Sequence, residues 1–208
     1  MSPLPHRTEL DLLVLHTLRC IGSNTLPRIA ATAGLEEDDA QSELIDLAAA
    51  GLVSYTPGAF GGWGITAVGR ETDAVRIAAE LATAGARASV ERALAAFLQL
   101  NAGVLEVCSS WQLRSVGGQN RPNDHTDHAY DDRLLARLSS LDRRGQALCS
   151  ELAAVLGRFE RYPVRLTEAL GRAWAGDQAA VADGLESYHN VWFQLHEDLL
   201  VTSGLPRW

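Results

Sequence analysis

The chain has 208 residues, which is enough for one large domain or two small ones with a substantial hydrophobic core. Hydrophobic residues make up 47% of it and charged residues 21%, a balance that excludes an intrinsically disordered chain. The formal net charge of −8 argues against a broad, non-specific attraction to nucleic acid.

The sequence predicts a cytoplasmic protein with no membrane partner. We find no uninterrupted apolar run that approaches the roughly 20 residues of a membrane span, and the first residues lack the pattern of a signal peptide. The three cysteines, Cys20, Cys108 and Cys149, are widely spaced and odd in number. This usage is typical of reduced thiols that act as small core residues.

Helices and one hairpin are predicted in the first third of the chain. Apolar residues recur at helical spacing in four segments, and two short β-prone segments flank a turn-rich stretch. The predicted helices span 8–21, 25–34, 38–50 and 67–85, and the predicted strands span 52–56 and 62–66. Thr8 is the expected N-cap of the first helix, and Gly34 is the expected end of the second.

This order of elements resembles a winged helix-turn-helix domain. The resemblance rests on the helix-turn-helix at 25–51 and on the segments AAAGLVSY and GWGITAVGRE, which are similar to a run in MarR-type regulators. It implies a MarR-like transcriptional regulator, in which the third helix enters the major groove of DNA. Winged helices also serve as protein-binding modules, so the resemblance indicates the fold more strongly than the function.

The rest of the sequence predicts an α-helical bundle. The predicted helices span 87–113, 131–159, 161–177 and 178–203, with a loop at 116–129. The fold class is therefore mainly α, with a winged helix-turn-helix domain at 1–85 and an α-helical effector-binding and dimerisation domain at 86–208. The apolar edges of the first and last of these four helices predict a homodimer.

The predicted reading helix carries an unusual charge for a DNA-binding element. Six acidic residues and no basic residue lie between Glu36 and Gly51, and residues 1–75 have a net charge of −6. A duplex presents a negative charge about every 1.7 Å of its axis, so this surface repels it. The residues that could still contact DNA are Arg28, Gln41, Ser42, Tyr55 and Trp63. A docking or dimerisation platform is the alternative use of this domain.

The segment PNDHTDHAYDD, residues 122–132, concentrates polar and ligating side chains, and the last helix carries a second such cluster. If the loop folds back against the last helix beside Trp111, the two clusters form a small-molecule site with aromatic walls. The predicted ligand-binding residues are Trp111, Arg114, Asn123, Asp124, His125, His128, Tyr130, Tyr188, His189, Trp192, His196 and Glu197.

Two other interpretations of these clusters stay open. Glu186 and His189 have the Glu-x-x-His spacing of di-metal carboxylate bundles, and His125 and His128 would complete a divalent-metal site. In the other interpretation, Asp124 and Asp127 cap the helix that follows, and the histidines are solvated or satisfied locally.

The predicted function is that of a ligand-responsive transcriptional regulator, in which DNA binding is coupled to a small-molecule pocket in the helical domain. One alternative is an enzyme that uses the His/Asp/Glu/Trp pocket, with the winged helix as a scaffold that does not bind DNA. The other is a protein-interaction module. The sequence has no Ser-His-Asp order, Cys-x-x-Cys pair or phosphate-binding glycine loop, so catalysis is the less favoured interpretation.

Overall fold

The computed structural model describes residues 4–58 and 61–205, and within these ranges the side chain of Val116 is not described. Helices hold 69% of the residues and the two sheets are small, which confirms the mainly α prediction. Ala59 and Phe60, in the predicted turn of the hairpin, lie outside the described residues.

Three helices and a hairpin form an N-terminal unit. Its elements are α1 (Leu10–Ile21), α2 (Leu26–Ala33), α3 (Glu37–Ala49), β1 (Val53–Thr56) and β2 (Gly62–Ile65). The strands are antiparallel, and Asn24 forms a bridge to Trp63 on the edge of β2. A small core fills the space between these elements; it comprises Val14, Leu15, Leu18, Ile29, Leu44, Leu47 and Val53. Gly34 ends α2 in the left-handed conformation, as predicted.

The second unit is a helical bundle with a larger core. Its helices are α4 (Ala67–Thr83), α5 (Arg87–Gln112), α6 (His128–Ala153), α7 (Arg161–Trp174) and α8 (Tyr188–Thr202). The bulkiest buried side chains include Phe97, Phe159, Tyr162 and Trp192. Leu81 of α4 packs into this core, so α4 reaches past the hairpin and contributes to the bundle.

A hairpin occupies part of the predicted loop at 116–129. Strands β3 (Leu113–Val116) and β4 (Gln119–Pro122) pair antiparallel around a two-residue turn. Gly117 and Gly118 have φ angles of 60° and 79°. Two-residue hairpin turns require such positive angles, and glycine adopts them readily because it has no Cβ. The Gly-Gly pair is the signal that identifies this hairpin.

The last helix begins later than predicted. Residues 178–180 form a 3-10 turn, and α8 starts at Tyr188, with the Ser187 side chain accepting a hydrogen bond from the backbone N–H of Asn190. The prediction of one helix over 178–203 is therefore wrong in its first ten residues. A serine cap placed after Gly184 explains the late start.

One described helix, α5, is long and apolar enough to cross a membrane by length and composition alone. Its apolar residues do not form an uninterrupted run, because Gln99, Asn101 and Glu106 lie among them. Core helices meet the same criterion, and Phe97, Val104 and Trp111 of α5 are buried in the bundle.

The crossing of α6 and α8 depends on a glycine. A Cβ added at Gly145 would lie 2.9 Å from Cζ3 of Trp192, a ring that is 1% exposed and cannot move aside. We expect Gly145→Ala to destabilise the fold by about 1–3 kcal/mol through overpacking. Gly171→Ala is the control, because no atom lies within 4 Å of its added Cβ, and it should stabilise by about 0.5–1 kcal/mol.

Urea denaturation followed by circular dichroism measures both changes. Equal effects of the two substitutions would show that the Gly145 contact does not determine how α6 and α8 pack.

Candidate functional site

Four of the residues predicted to contact DNA lie on the surface of α3 and the first hairpin. Gln41 and Ser42 are exposed on α3. Tyr55 is exposed on β1, and its ring centre lies 5.3 Å from that of the partly buried Trp63. These side chains are therefore available to a partner.

Arg28 lies in a different environment. Its guanidinium donates hydrogen bonds to the Glu186 carboxylate and to the backbone oxygen of Leu185. Glu186 also accepts hydrogen bonds from Nε and NH2 of Arg165, at 3.1 and 2.9 Å. Arg28 thus connects α2 to the segment before α8, and this engagement removes it from the residues that can contact DNA.

The acidic residues of α3 form a concentrated negative surface. Residues 37–39 are exposed in its first turn, where carboxylates stabilise the helix dipole. Partial burial and nearby carboxylates, first that of Asp11, raise the pKa of Glu43. In the described part of the chain, no ion pair involves residues 37–39, 43 or 46 of this helix.

The loop 122–132 folds onto the ends of α5 and α6 through its own polar contacts. The His125 ring lies 4.7 Å from that of Trp111, and its Nδ1 lies 2.9 Å from Oδ2 of Asp131. Nδ2 of Asn123 donates hydrogen bonds to Asp131 Oδ1 and to the backbone oxygen of Trp111. His125 has a φ of 55°, which a residue with a side chain rarely adopts.

The neighbouring acids have local structural roles. The Asp127 carboxylate accepts a hydrogen bond from the backbone N–H of Tyr130 and caps α6, which confirms the capping interpretation for this residue. Arg114 donates to Asp127 at 2.6 Å and lies over the Tyr130 ring. Asp124 accepts two hydrogen bonds from the residue two positions later, and His128 is exposed.

Tyr188 and Trp192 are core residues rather than walls of a ligand pocket. The Tyr188 hydroxyl donates to Asp142 at 3.1 Å, and the Trp192 indole N–H donates to Asn101 at 3.0 Å. The Trp192 ring stacks on Phe97 with ring centres 4.5 Å apart. Because both polar atoms have partners inside the core, neither residue needs a ligand.

The histidines of α8 have their own surroundings. His196 is partly buried and stacks on Phe97, His189 is partly buried, and Glu197 is buried. Burial lowers the pKa of His196. In the described part of the chain, no hydrogen bond or ring contact joins these two histidines to those of the loop.

The predicted metal ligands His125, His128, Glu186 and His189 are not brought together either. Because α8 begins at Tyr188, Glu186 and His189 do not share a helix, and Glu186 is engaged by two arginines. Within residues 4–58 and 61–205, one group of three His, Cys, Asp or Glu residues has ligand atoms within 4.8 Å of one another, namely His16, Cys20 and Asp198.

That group belongs to a buried ionic network between the two units. Helix α1 of the N-terminal unit supplies His16, and the bundle supplies the others, namely Asp73 and Glu80 of α4, Asp198 of α8, Arg158 and Arg161. Their side chains are at most 6% exposed. A buried charge without a partner is costly, so three cations and three anions can be buried here only together.

Asp198 is the centre of the ionic network. Its Oδ1 lies 3.1 Å from Nε2 of His16, and its Oδ2 accepts hydrogen bonds from Arg161 and from the hydroxyl of Tyr162, each at 2.9 Å. NH2 of Arg158 lies 3.4 Å from Oδ1. Burial acts to raise the pKa of Asp198, but these cations outweigh it and hold the pKa well below its ordinary value.

His16 bridges two carboxylates. Its Nδ1 lies 3.1 Å from Oδ1 of Asp73, opposite the contact of Nε2 with Asp198. Carboxylates only accept hydrogen bonds, so both ring nitrogens carry protons and the ring is an imidazolium. Burial acts to lower the pKa of His16, but Cys20, Asp198 and Asp73 together raise it well above its ordinary value.

The N-terminal segment adds further contacts between the units. The backbone N–H of His6 donates to Val155, and the backbone N–H of Gly157 donates to His6. Thr8 does not cap α1 as predicted, because its hydroxyl donates to the Glu80 carboxylate instead. The residues before α1 therefore form hydrogen bonds with the bundle and connect it to the N-terminal unit.

The sequence did not predict this ionic network. The signal that could have revealed it is an ionisable residue among apolar neighbours on one helical face. His16 lies between Leu15 and Leu18 on α1, and Asp198 lies between Leu195 and Leu199 on α8. The sequence gives no means of pairing them, because 182 positions separate the two.

No family model, curated protein or solved structure matches the chain.

Replacing Asp198 should release the two units from each other. Asp198→Asn leaves three buried cations with one acceptor fewer, so we expect a loss of about 3–5 kcal/mol in the free energy of unfolding. Asp132→Asn, an exposed site on α6, is the control and should change it by less than about 0.5 kcal/mol. Urea denaturation at neutral pH measures both, and similar values for the two variants would contradict a structural role for Asp198.

The charge on His16 should also make the free energy of unfolding depend on pH. Because the pKa of His16 is raised in the folded state, its contribution to the free energy of unfolding is complete below the pKa that it has in the unfolded chain. This contribution is lost as the pH rises through the pKa of the folded state. The difference in unfolding free energy between the wild type and His16→Gln should therefore shrink from about pH 6 to about pH 10. A difference that stays constant over this range would show that His16 is neutral.

Proposed function

We propose that the chain is a ligand-responsive, DNA-binding transcriptional regulator. The N-terminal unit acts as a winged helix that reads DNA, and the bundle sets its position through the buried ionic network. A small-molecule effector acts by changing the contact between the two units.

The observation that carries this proposal is the surface formed by α3 and the first hairpin. The buried face of α3 consists of Ala40, Leu44 and Leu47, which leaves Gln41 and Ser42 on the outside. A glutamine amide can form a paired hydrogen bond with adenine, and a serine hydroxyl can bond to several base edges. Three helices followed by a two-stranded hairpin are the elements that a winged helix needs.

The acidic charge of this unit sets the kind of DNA binding that we propose. Since residues 37–39 repel phosphate, affinity for random duplexes should be low and base contacts should contribute a large share of the binding free energy. The exposed aromatic ring of Tyr55 on the hairpin can contact sugar or backbone without a positive charge. Binding should consequently be selective rather than broad.

A homodimer fits this proposal, because two-fold symmetric half-sites need two winged helices. Helix α5 presents exposed apolar residues at alternating spacings of three and four; these are Ala95, Leu98, Ala102 and Leu105. Leu98 is 52% exposed and Leu105 is 41% exposed. A stripe with this spacing is suited to pair with a second helix, and we assign it to a second copy of the chain.

A protein-interaction module is the second candidate, and one observation favours it. Ile45 is 53% exposed on α3, in the middle of its acidic residues. An exposed apolar side chain on an acidic helix suits a protein partner with a basic and apolar surface better than it suits a duplex.

Selection from a pool of random-sequence duplexes tests the regulator at low salt. We expect a defined sequence to be enriched, and Gln41→Ala and Tyr55→Ala to weaken its binding, the glutamine change by about 1–3 kcal/mol. Gln99→Ala, an exposed glutamine on α5, is the matched control and should bind as the wild type does.

Two results would contradict DNA reading by α3. One is the absence of any enriched sequence, which favours the interaction module. The other is equal binding by the Gln41→Ala and Gln99→Ala variants to an enriched sequence.

A further inference from the structure

A cavity of about 920 Å³ lies between the N-terminal unit and α7. One wall consists of residues 4–13 and 31–35, and the other consists of residues 157–168. This volume falls within the range of small-molecule binding sites. The cavity is separate from the 122–132 loop, so no residue of the predicted ligand site lines it.

Part of the cavity surface is apolar. Leu10, Leu13 and Leu35 line it from the N-terminal unit, and Val164 lines it from α7. Val164 is 58% exposed and Leu10 is 37% exposed, so the apolar surface is open to an incoming molecule. Such a surface accommodates a hydrocarbon chain or ring of a ligand.

The rest of the cavity surface carries charged side chains of both signs. Arg7, Arg158, Arg161 and Arg165 line it, together with the two exposed acids Glu160 and Glu168. Arg158 and Arg161 are paired with carboxylates of the buried ionic network, and Arg165 is paired with Glu186.

The three buried arginines also have N–H groups without a hydrogen-bond partner. In the described part of the chain these are Nε of Arg158, Nε of Arg161 and NH1 of Arg165, and each of these atoms is covered by the protein. A ligand in the cavity therefore acts on these groups through its charge and not through a direct hydrogen bond. Arg158 and Arg165 are 6% and 9% exposed as whole residues. Burial lowers the pKa of Arg165 to about 10, so an added anion would stabilise its charged form.

Arg7 differs from these three because it is exposed at the mouth of the cavity. It has no hydrogen bond or ion pair with any residue that the structure describes. Its guanidinium can therefore turn toward a carboxylate without breaking a contact that holds the fold together.

We propose that this cavity binds an amphipathic organic anion, whose carboxylate pairs with Arg7 and whose hydrocarbon part lies against the leucines and Val164. Its role as the effector rests on the proposed function, whereas the binding itself does not. An anion here contacts α1, α2 and α7 at once and lies beside Arg158 and Arg161, which belong to the buried ionic network. Its binding changes how the N-terminal unit is held.

Isothermal titration of the full chain with octanoate and with octylamine tests the chemistry of the cavity. The two probes share a hydrocarbon chain and differ in the sign of their charge. We expect octanoate to bind at least about tenfold more tightly than octylamine, and added chloride to weaken octanoate binding. Equal affinity for the two probes, or no heat of binding with octanoate, would overturn the proposal.

Two variants with matched controls locate the binding. Val164→Asp and Arg7→Glu change exposed cavity residues, and each should weaken octanoate binding at least about tenfold. Val75→Asp and Arg144→Glu make the same changes at exposed positions outside the cavity and should leave it unchanged. Thermal melts confirm that all four variants fold, and equal weakening by variants and controls would overturn the site.

The titration contains no DNA, so its result does not depend on the regulator proposal. If octanoate binds and the duplex selection fails, the cavity is a ligand site in a protein of another function. If a duplex is enriched and octanoate does not bind, the regulator proposal stands and the anion site does not.

Discussion

The imidazolium of His16, held between the carboxylates of Asp73 and Asp198, is the contact on which the arrangement of the two units depends. The N-terminal unit brings one positive charge to the ionic network, that of His16, and the bundle brings a net charge of −1 from two arginines and three carboxylates. Neither unit can bury its own set without an unpaired charge, so burial requires that both be present. This electrostatic requirement favours one orientation of the N-terminal unit.

That orientation gives the proposed regulator a physical basis. The face of α3 that we assign to DNA belongs to a unit whose first helix carries His16, and the cavity borders the same interface through Arg158 and Arg161. A charged ligand entering the cavity changes the field around groups that are already balanced. The binding free energy of this ligand therefore acts on the contact between the two units. It does not act on the loop at 122–132, which is held by Asp131 and by its own helix cap.

Helices and strands were predicted well from the sequence, because local patterns of residues determine them. Contacts between residues that are distant in the sequence were predicted poorly. Helical periodicity placed α1 to α5 and α7 closely, and Gly34 marked the end of α2. It extended the sixth helix to residue 159, whereas α6 ends at Ala153. The same periodicity extended α8 across Ser187, because a helix cap counts for little against an apolar pattern. The clustering of polar residues at 122–132 indicated a site, but most of these groups stabilise the loop itself. The ionic network and the cavity join residues from both ends of the chain, and no single segment carries their signature.

Native-state hydrogen exchange tests most directly whether the ionic network makes one cooperative structure of the two units. The slowest amides of α1 and of α8 should exchange with the same free energy of opening and the same dependence on denaturant, because the units unfold together. If the amides of α1 exchange through an opening of lower free energy while those of α8 stay protected, the N-terminal unit unfolds alone. That result would contradict the coupling on which the account rests.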